Sequence, residues 1–293
     1  MTSSSHARAL VAACSLCVIP PNAAGPGVKE QVESLIQASG AEVAVALRTL
    51  DGRDQLMIRP NDSFHAASTM KVPVMIELFR QARLGFFKLD DRLPVVNQFR
   101  SIADNSFYSL DPDDDSEVEL YKAVGQPRTY RELCEAMITV SSNLATNILI
   151  TRLGVERVQQ TSLELGAMGM NVRRGVEDDK AYQLGLNNTT SAGALLTLLH
   201  AIATGAAISP EDSREMVEIL KRQTLNDAIP AGLPAGTVVA HKTGSITRIQ
   251  HDAAIVYGSR PYVLVVLVRG IEDAKASAAL IADIARVVHA SIQ

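Results

Sequence analysis

Three short stretches of this sequence carry side chains able to do acyl-transfer chemistry. In Ser68-Thr69-Met70-Lys71 a hydroxyl and an amine lie three residues apart, on one face if the segment is helical, so Ser68 Oγ and Lys71 Nζ can meet. A serine hydroxyl is a poor nucleophile until a base takes its proton. A lysine is such a base near neutrality only when burial or the positive end of a helix lowers its pKa. In Ser141-Ser142-Asn143 polar residues interrupt the otherwise apolar run 136–150. Unpartnered burial would cost about 1–3 kcal/mol for each, so they either cap or kink a helix or turn a hydroxyl and an amide into a cleft. In His241-Lys242-Thr243-Gly244-Ser245 a strand that starts apolar at Val238 ends in a cation, two hydroxyls and a glycine. Lys242 and Ser245 alternate across such a strand, and Gly244 lets a ligand backbone come close. Each stretch alone is weak, the plain reading of the first being a helix-capping serine with a solvent-facing lysine.

The elements that must position these groups are legible from periodicity and punctuation. Val28, Val32, Leu35 and Ile36 recur at helical spacing up to Gly40; residues 41–49 read as a strand, Asp51-Gly52 as a tight turn and 55–59 as its partner. From Ser68 to about Leu220 the pattern is helical. One helix runs from Ser68 to Leu84 and stops at Gly85. Another spans Tyr130 to Leu153 between a Thr129 cap and Gly154. A third, capped by Thr189 or Thr190, runs to about Thr204, and a fourth opens at Ser209-Pro210. Residues 238–244, 252–257 and 262–269 return to strands, and 272–292 is an Ala-rich closing helix. The economical fold is one five-stranded sheet built from both ends of the chain, with a helical subdomain inserted between. The α/β part then covers about 25–66 and 221–293, and the all-α part about 67–220.

Composition narrows the function. The chain has 293 residues, 47% of them hydrophobic, and 28 basic against 32 acidic residues give a net charge of −4. With no basic stripe and 4% aromatics, nothing favours nucleic acid. Trp is absent, which argues against an aromatic-ligand cleft. Residues 1–24 read as a signal peptide: a short polar start with Arg8, the small or apolar run 9–19, then Pro20-Pro21-Asn22 and Ala23-Ala24. Export to the periplasm or the medium follows, and no later run is long enough to span a membrane. Val11-Ala12-Ala13-Cys14 also resembles a lipoprotein box that would anchor the chain through Cys14. Cys14 and Cys17 fall within the leader, leaving Cys134, in a helical pattern, as a small buried hydrophobe. Residues 111–119 hold six carboxylates without the glycine or spacing of a calcium loop, and read as a solvated surface loop. No histidine pair has zinc-ligand spacing, so a catalytic zinc is not expected.

Together, in this order and on these elements, the three stretches are specific. The chain resembles the class A β-lactamases and related penicillin-recognising serine hydrolases, also through Tyr130-Arg131-Glu132-Leu133-Cys134 and Asn143-Leu144-Ala145-Thr146-Asn147. The resemblance implies an α+β, β-lactamase/transpeptidase-like fold, with an antiparallel five-stranded sheet flanked by helices. It further implies that Ser68 is acylated by a lactam or ester, that Lys71 helps remove its proton and that Ser141 relays a proton to the leaving nitrogen. Asn143 would bind the substrate's side-chain amide. The N–H groups of Ser68 and Ser245 would form the oxyanion hole, and Lys242, Thr243 and Ser245, beside Gly244, would receive the substrate carboxylate. The implied partner is a small β-lactam or acyl substrate, with no metal or organic cofactor; a monomer is the default expectation, since the sequence does not carry the oligomeric state. Arg248 and His251 are candidate extra carboxylate contacts, depending on strand register.

Three departures from the family pattern bear on this. Position 142 is serine where the middle motif usually reads S-D-N. The segment between Lys71 and Ser141 is longer than usual, with 95–125 as an insertion placed to rim the cleft. In the loop 173–180, counting back from Thr189-Thr190 puts the glutamate that activates the deacylating water near Gly175; Glu177 is two residues away, and position 181 is alanine rather than asparagine. Glu177 is therefore either the deacylating base or part of an Arg–carboxylate cluster stiffening the loop. The functions left open are β-lactam hydrolysis, a related hydrolase such as a D-Ala-D-Ala carboxypeptidase or an esterase, and a non-catalytic penicillin-binding or sensing domain.

Overall fold

The computed structural model describes residues 27–293; the segment 1–24 expected to be a leader, with Cys14 and Cys17, lies outside them. Helix α1 (Val28–Ser39) ends at Gly40, whose left-handed φ of 65° a side chain would oppose. Strands β1 (Glu42–Thr49) and β2 (Gln55–Ile58) form the hairpin read from the sequence. A 3₁₀ turn at Ala67–Met70 leads into α2 (Lys71–Arg83), so Ser68 sits on the tighter turn rather than in the first turn of one long helix. There follow α3 (Val118–Lys122), α4 (Tyr130–Thr139), α5 (Asn143–Leu153), α6 (Val155–Glu164), α7 (Asp179–Gln183), α8 (Ala192–Ala203) and α9 (Pro210–Lys221). Strands β3 (Val239–Ile246), β4 (Ile249–Val256) and β5 (Tyr262–Arg269) and helix α10 (Ala274–Ile292) close the chain.

The strands join in the order β2-β1-β5-β4-β3, every neighbouring pair antiparallel, with Val45 opposite Val266 and Gly244 opposite His251. This is the α+β architecture expected, a sheet from both chain ends flanked by helices. Side-chain alternation sorts the sheet between two cores. Ala44, Ala46, Val265 and Leu267 pack toward the helices of the middle of the chain, whereas Val43, Val45, Val266 and Val268 pack against α1 and α10. Cys134 is buried on α4, and burial pushes its thiol up to about 12. Among the described residues no helix is long and apolar enough to cross a membrane.

Two local readings need correction. The segment 130–153 is two helices, broken at Val140–Ser142, where Ser141 takes a left-handed φ of 62° and Ser142 caps α5 by accepting from Ala145 N. The cap of α8 is Ser191, not Thr189 or Thr190; those two pair as a short strand with Phe64-His65. All three are cap-competent residues, and the strand pairing decides which one serves.

Candidate active site

The break between α4 and α5 puts Ser141 at the meeting point of the helices and the sheet. Its hydroxyl accepts from Lys71 Nζ (3.1 Å) and from Lys242 Nζ (3.0 Å), so residues from the three motifs form one hydrogen-bonded chain. Lys71 Nζ also donates to Ser141 O at 2.7 Å and Asn143 Oδ1 at 2.8 Å, and Lys242 Nζ to Thr243 O at 2.9 Å. Both lysines have no exposed surface. Burial holds the Lys71 ammonium down to about 7, against the upward pull of Asp115 and then Glu177. Burial, and then the neighbouring Lys71, also push Lys242 well below an ordinary lysine.

Ser68 lies at the floor of a cavity of about 270 Å³ that Asn143, Glu177 and Ser245 also line. Its Oγ makes no hydrogen bond among the described residues; Lys71 Nζ is committed to Ser141 and Asn143 instead. Gly244 is what lets β3 reach this floor. A Cβ there would stand 3.1 Å from Ser68 N and 3.0 Å from Thr69 N. The close approach brings the backbone of β3, next to Ser245, against the backbone of Ser68, and both serines line the cavity. Thr243 points across the strand and lines a second, larger cavity beside α10, which Ser245 borders too.

The loop 173–180 is held by Asn147, whose Oδ1 accepts from Val176 N (2.7 Å) and whose Nδ2 donates to Val176 O (2.9 Å). Glu177 follows in a left-handed conformation, φ 54°, and its Oε1 accepts from Asn143 Nδ2 at 3.1 Å. Burial, and then Asp179, raise the Glu177 carboxyl above its usual range, while Lys71 opposes them. The Arg–carboxylate cluster is not formed. Arg174 donates to Leu186 O, Gly175 O and Asn187 Oδ1, and Asp178 accepts from Ser101 Oγ, Ile102 N and Ala181 N.

The insertion 95–125 is closed at its base by Val95 N to Gln126 O and Gly125 N to Val95 O, both 2.9 Å. It contributes none of the residues lining the Ser68 cavity and braces the site from behind. Its six carboxylates are not all solvated. Asp115 is 9% exposed and accepts from Asn143 N and Leu144 N, each at 2.9 Å, and from Tyr121 OH at 2.9 Å. No local signal marks this role, because the backbone partners lie 28 and 29 residues away.

Neither extra candidate reaches the cavity. His251, opposite Gly244, lies fully buried beneath the 3₁₀ turn; its Nε2 bonds His65 O at 2.9 Å, and burial lowers it to about 4. Arg248 turns from the β3–β4 connection to Gly270 O and Glu272. His65, which sequence reasoning passed over, does line the cavity; its Nδ1 accepts from Ala67 N and its buried Nε2 has no protein partner.

Comparison with known proteins agrees in fold and sequence. The family model described as "Beta-lactamase enzyme family" matches residues 27–292. A β-lactamase of Bacillus licheniformis is 30% identical over 237 residues, covering 78% of this chain and 72% of that protein. The crystal structure of a β-lactamase from Chitinophaga pinensis superposes with a TM-score of 0.80 at 26% identity, over 91% of this chain and 99% of that one. A mutant of PBP-A, solved as its acyl-enzyme complex with penicillin G, gives a TM-score of 0.78 at 28% identity, over 90% and 95%.

Proposed function

As a member of the beta-lactamase enzyme family this chain is a serine hydrolase, and we propose that it opens β-lactam rings through an acyl-enzyme on Ser68. The observation that carries the reading is one hydroxyl, Ser141 Oγ, held between two buried amines that sequence motifs far apart supply.

In this mechanism neutral Lys71 takes the Ser68 proton as Ser68 Oγ bonds to the lactam carbonyl carbon. The developing oxyanion is held by the N–H groups of Ser68 and Ser245, a contribution of about 10²–10³ in rate per donor in comparable sites. The ring C–N bond then breaks. Its nitrogen takes the Ser141 proton, which the Lys71–Lys242 pair replaces. Lys242, Thr243 and Ser245 receive the substrate carboxylate, and Asn143 the side-chain amide. Glu177 takes a proton from the water that attacks the ester carbonyl; as the bond from that carbon to Ser68 Oγ breaks, Glu177 returns the proton to Ser68 Oγ. The cavity it shares with Ser68 and its raised proton affinity support Glu177 as that base. The reading includes export by the leader 1–24 and action as a monomer on a small substrate, without metal or cofactor.

A second reading, a D-alanyl peptidase or esterase that holds penicillin as a lasting adduct, draws on Ala181, which is buried and offers no amide to orient a water. Intact-mass spectrometry after addition of benzylpenicillin separates the two. The expected result is a penicilloyl adduct that forms within seconds, decays, and is absent from Ser68→Ala. An adduct on Ser68→Ala would remove Ser68 as the nucleophile; an undiminishing wild-type adduct would favour the second reading. With Glu177→Gln, deacylation should slow by about 10²–10⁴ while acylation persists.

A further inference from the structure

We propose that Asp115, carried by the inserted segment, is a positioning residue of the acylation machinery: it supplies across space the carboxylate that the middle motif lacks, and so fixes the Ser141–Asn143 turn against Lys71. The inference rests on the reading of Ser68, Lys71, Ser141 and Asn143 as the acylating set.

The motif keeps its first and third residues but has Ser142 in the middle, and Ser142 Oγ accepts from Ala145 N at 3.2 Å only. The first free N–H groups of α5, those of Asn143 and Leu144, would be orphaned inside the protein without another acceptor. Asp115 is that acceptor. Its Oδ2 takes Asn143 N and Leu144 N, each at 2.9 Å, its Oδ1 takes Asn143 N at 3.1 Å, and Ser142 Oγ approaches Oδ2 at 3.5 Å. Tyr121 OH, at 2.9 Å, holds the carboxylate from the opposite side, and Glu117 N donates to Oδ1 at 3.2 Å. Burial, and then Asp115, push the Tyr121 phenol upward, so it stays a donor. A carboxylate receiving this many donors in a buried place is built in, unlike Asp111 and Asp113 on the exposed side of the same run.

The geometry reaches the chemistry in two steps. Asp115 fixes the backbone of Asn143, Asn143 Oδ1 accepts from Lys71 Nζ, and Lys71 Nζ also bonds both oxygens of Ser141. The charge acts as well: the groups facing Lys71 are Asp115, Glu177 and Lys242, and Asp115 is the larger of the two that favour its protonated form. Asp115 therefore trades some base strength in Lys71 for an ordered turn.

The test is the second-order rate constant for acylation by a fluorescent penicillin, measured from pH 5.5 to 9 on three full-length proteins. For Asp115→Asn the plateau should fall about tenfold or more, because an amide presents N–H groups to N–H groups. The ascending limb should also move to lower pH, because a charge that stabilised protonated Lys71 is gone. A structural role alone would lower the melting temperature and leave the limb in place. In Asp115→Asn/Ser142→Asp the carboxylate is returned within the motif, and both plateau and limb should move back toward wild type. Should Asp115→Asn not accumulate as folded protein, Tyr121→Phe removes one anchoring donor and should lower acylation severalfold. An Asp115→Asn or Tyr121→Phe protein that is acylated at the wild-type rate with an unmoved limb overturns the proposal while leaving the assignment of Ser68 intact. A wild-type protein that forms no Ser68 adduct takes down that assignment and the proposal together.

Discussion

Acylation should follow the titration of Lys71, and the size of the effect can be worked out from its surroundings. An ordinary lysine near 10.5 is about 0.03% neutral at pH 7, whereas one titrating near 7 is about half neutral, a gain of roughly 10³ in usable base. If the neutral amine takes the Ser68 proton, the acylation rate constant should rise about tenfold between pH 6 and 8. It should change by less than a quarter between pH 8 and 9. An unperturbed lysine would give a hundredfold rise and then a further tenfold one. Stopped-flow anisotropy of a fluorescent penicillin, at substrate well below saturation, reads the free enzyme. Because Lys71 and Lys242 share the Ser141 hydroxyl, the limb belongs to the pair; Lys242→Arg fixes one charge and leaves Lys71 the only amine of the pair free to titrate. A rate that keeps climbing tenfold per pH unit above 8, or that is flat from 6 to 8, would refute the assignment of Lys71 as the base.

Gly244→Ala forces a methyl against the amides of Ser68 and Thr69; β3 must retreat, costing about 1–3 kcal/mol of stability by thermal melt, and acylation should fall more steeply than the melt accounts for. Gly175→Ala places a methyl on Asn147 Oδ1, breaking its clamp on Val176, so deacylation should slow while acylation changes little; equal losses in both would mean the loop serves the whole cleft. Glu77, fully buried on α2, accepts from Arg80, Gln81 and Thr161 at 2.6 Å each; Glu77→Ala should cost on the order of 3 kcal/mol without moving the pH limb of acylation. A shifted limb there would mean that α2 transmits strain to Lys71.

The sheet could be read from the sequence because its signals are local. The apolar runs 43–47 and 262–268, buried on both faces, the Asp51-Gly52 turn and Gly40 each announce themselves within a few residues. The two motif lysines and Ser141 could be read for the same reason, from short local patterns. What escaped was non-local or sterically costly. Nothing marks Ser141 as the place where a continuous helix must break, since the residue there is neither glycine nor proline and the lysines that bond it at its φ of 62° come from distant segments. Asp115 looked like one carboxylate among six. His251 does face the 3₁₀ turn, as register allows, but the turn covers it, and burial of that kind cannot be counted off a strand.

Six non-glycine residues among those described have positive φ, and three of them belong to the site: Ala67 at 46°, Ser141 at 62° and Glu177 at 54°. Such conformations cost roughly 1 kcal/mol or more and persist only where neighbours over-determine them. The neighbours can be named. Gly244 presses β3 onto the turn that follows Ala67; two amines and the Asp115 cap of α5 hold the Ser141 break; Asn147 and Asp178 hold the backbone on either side of Glu177. The insertion takes part in two of these three restraints, through Asp115 on one loop and Ser101 and Ile102 on the other. One segment thus ties the turn to which we assign acylation to the loop to which we assign deacylation. On the proposed mechanism, displacing it should disturb both halves of the reaction, although it lines no part of the Ser68 cavity.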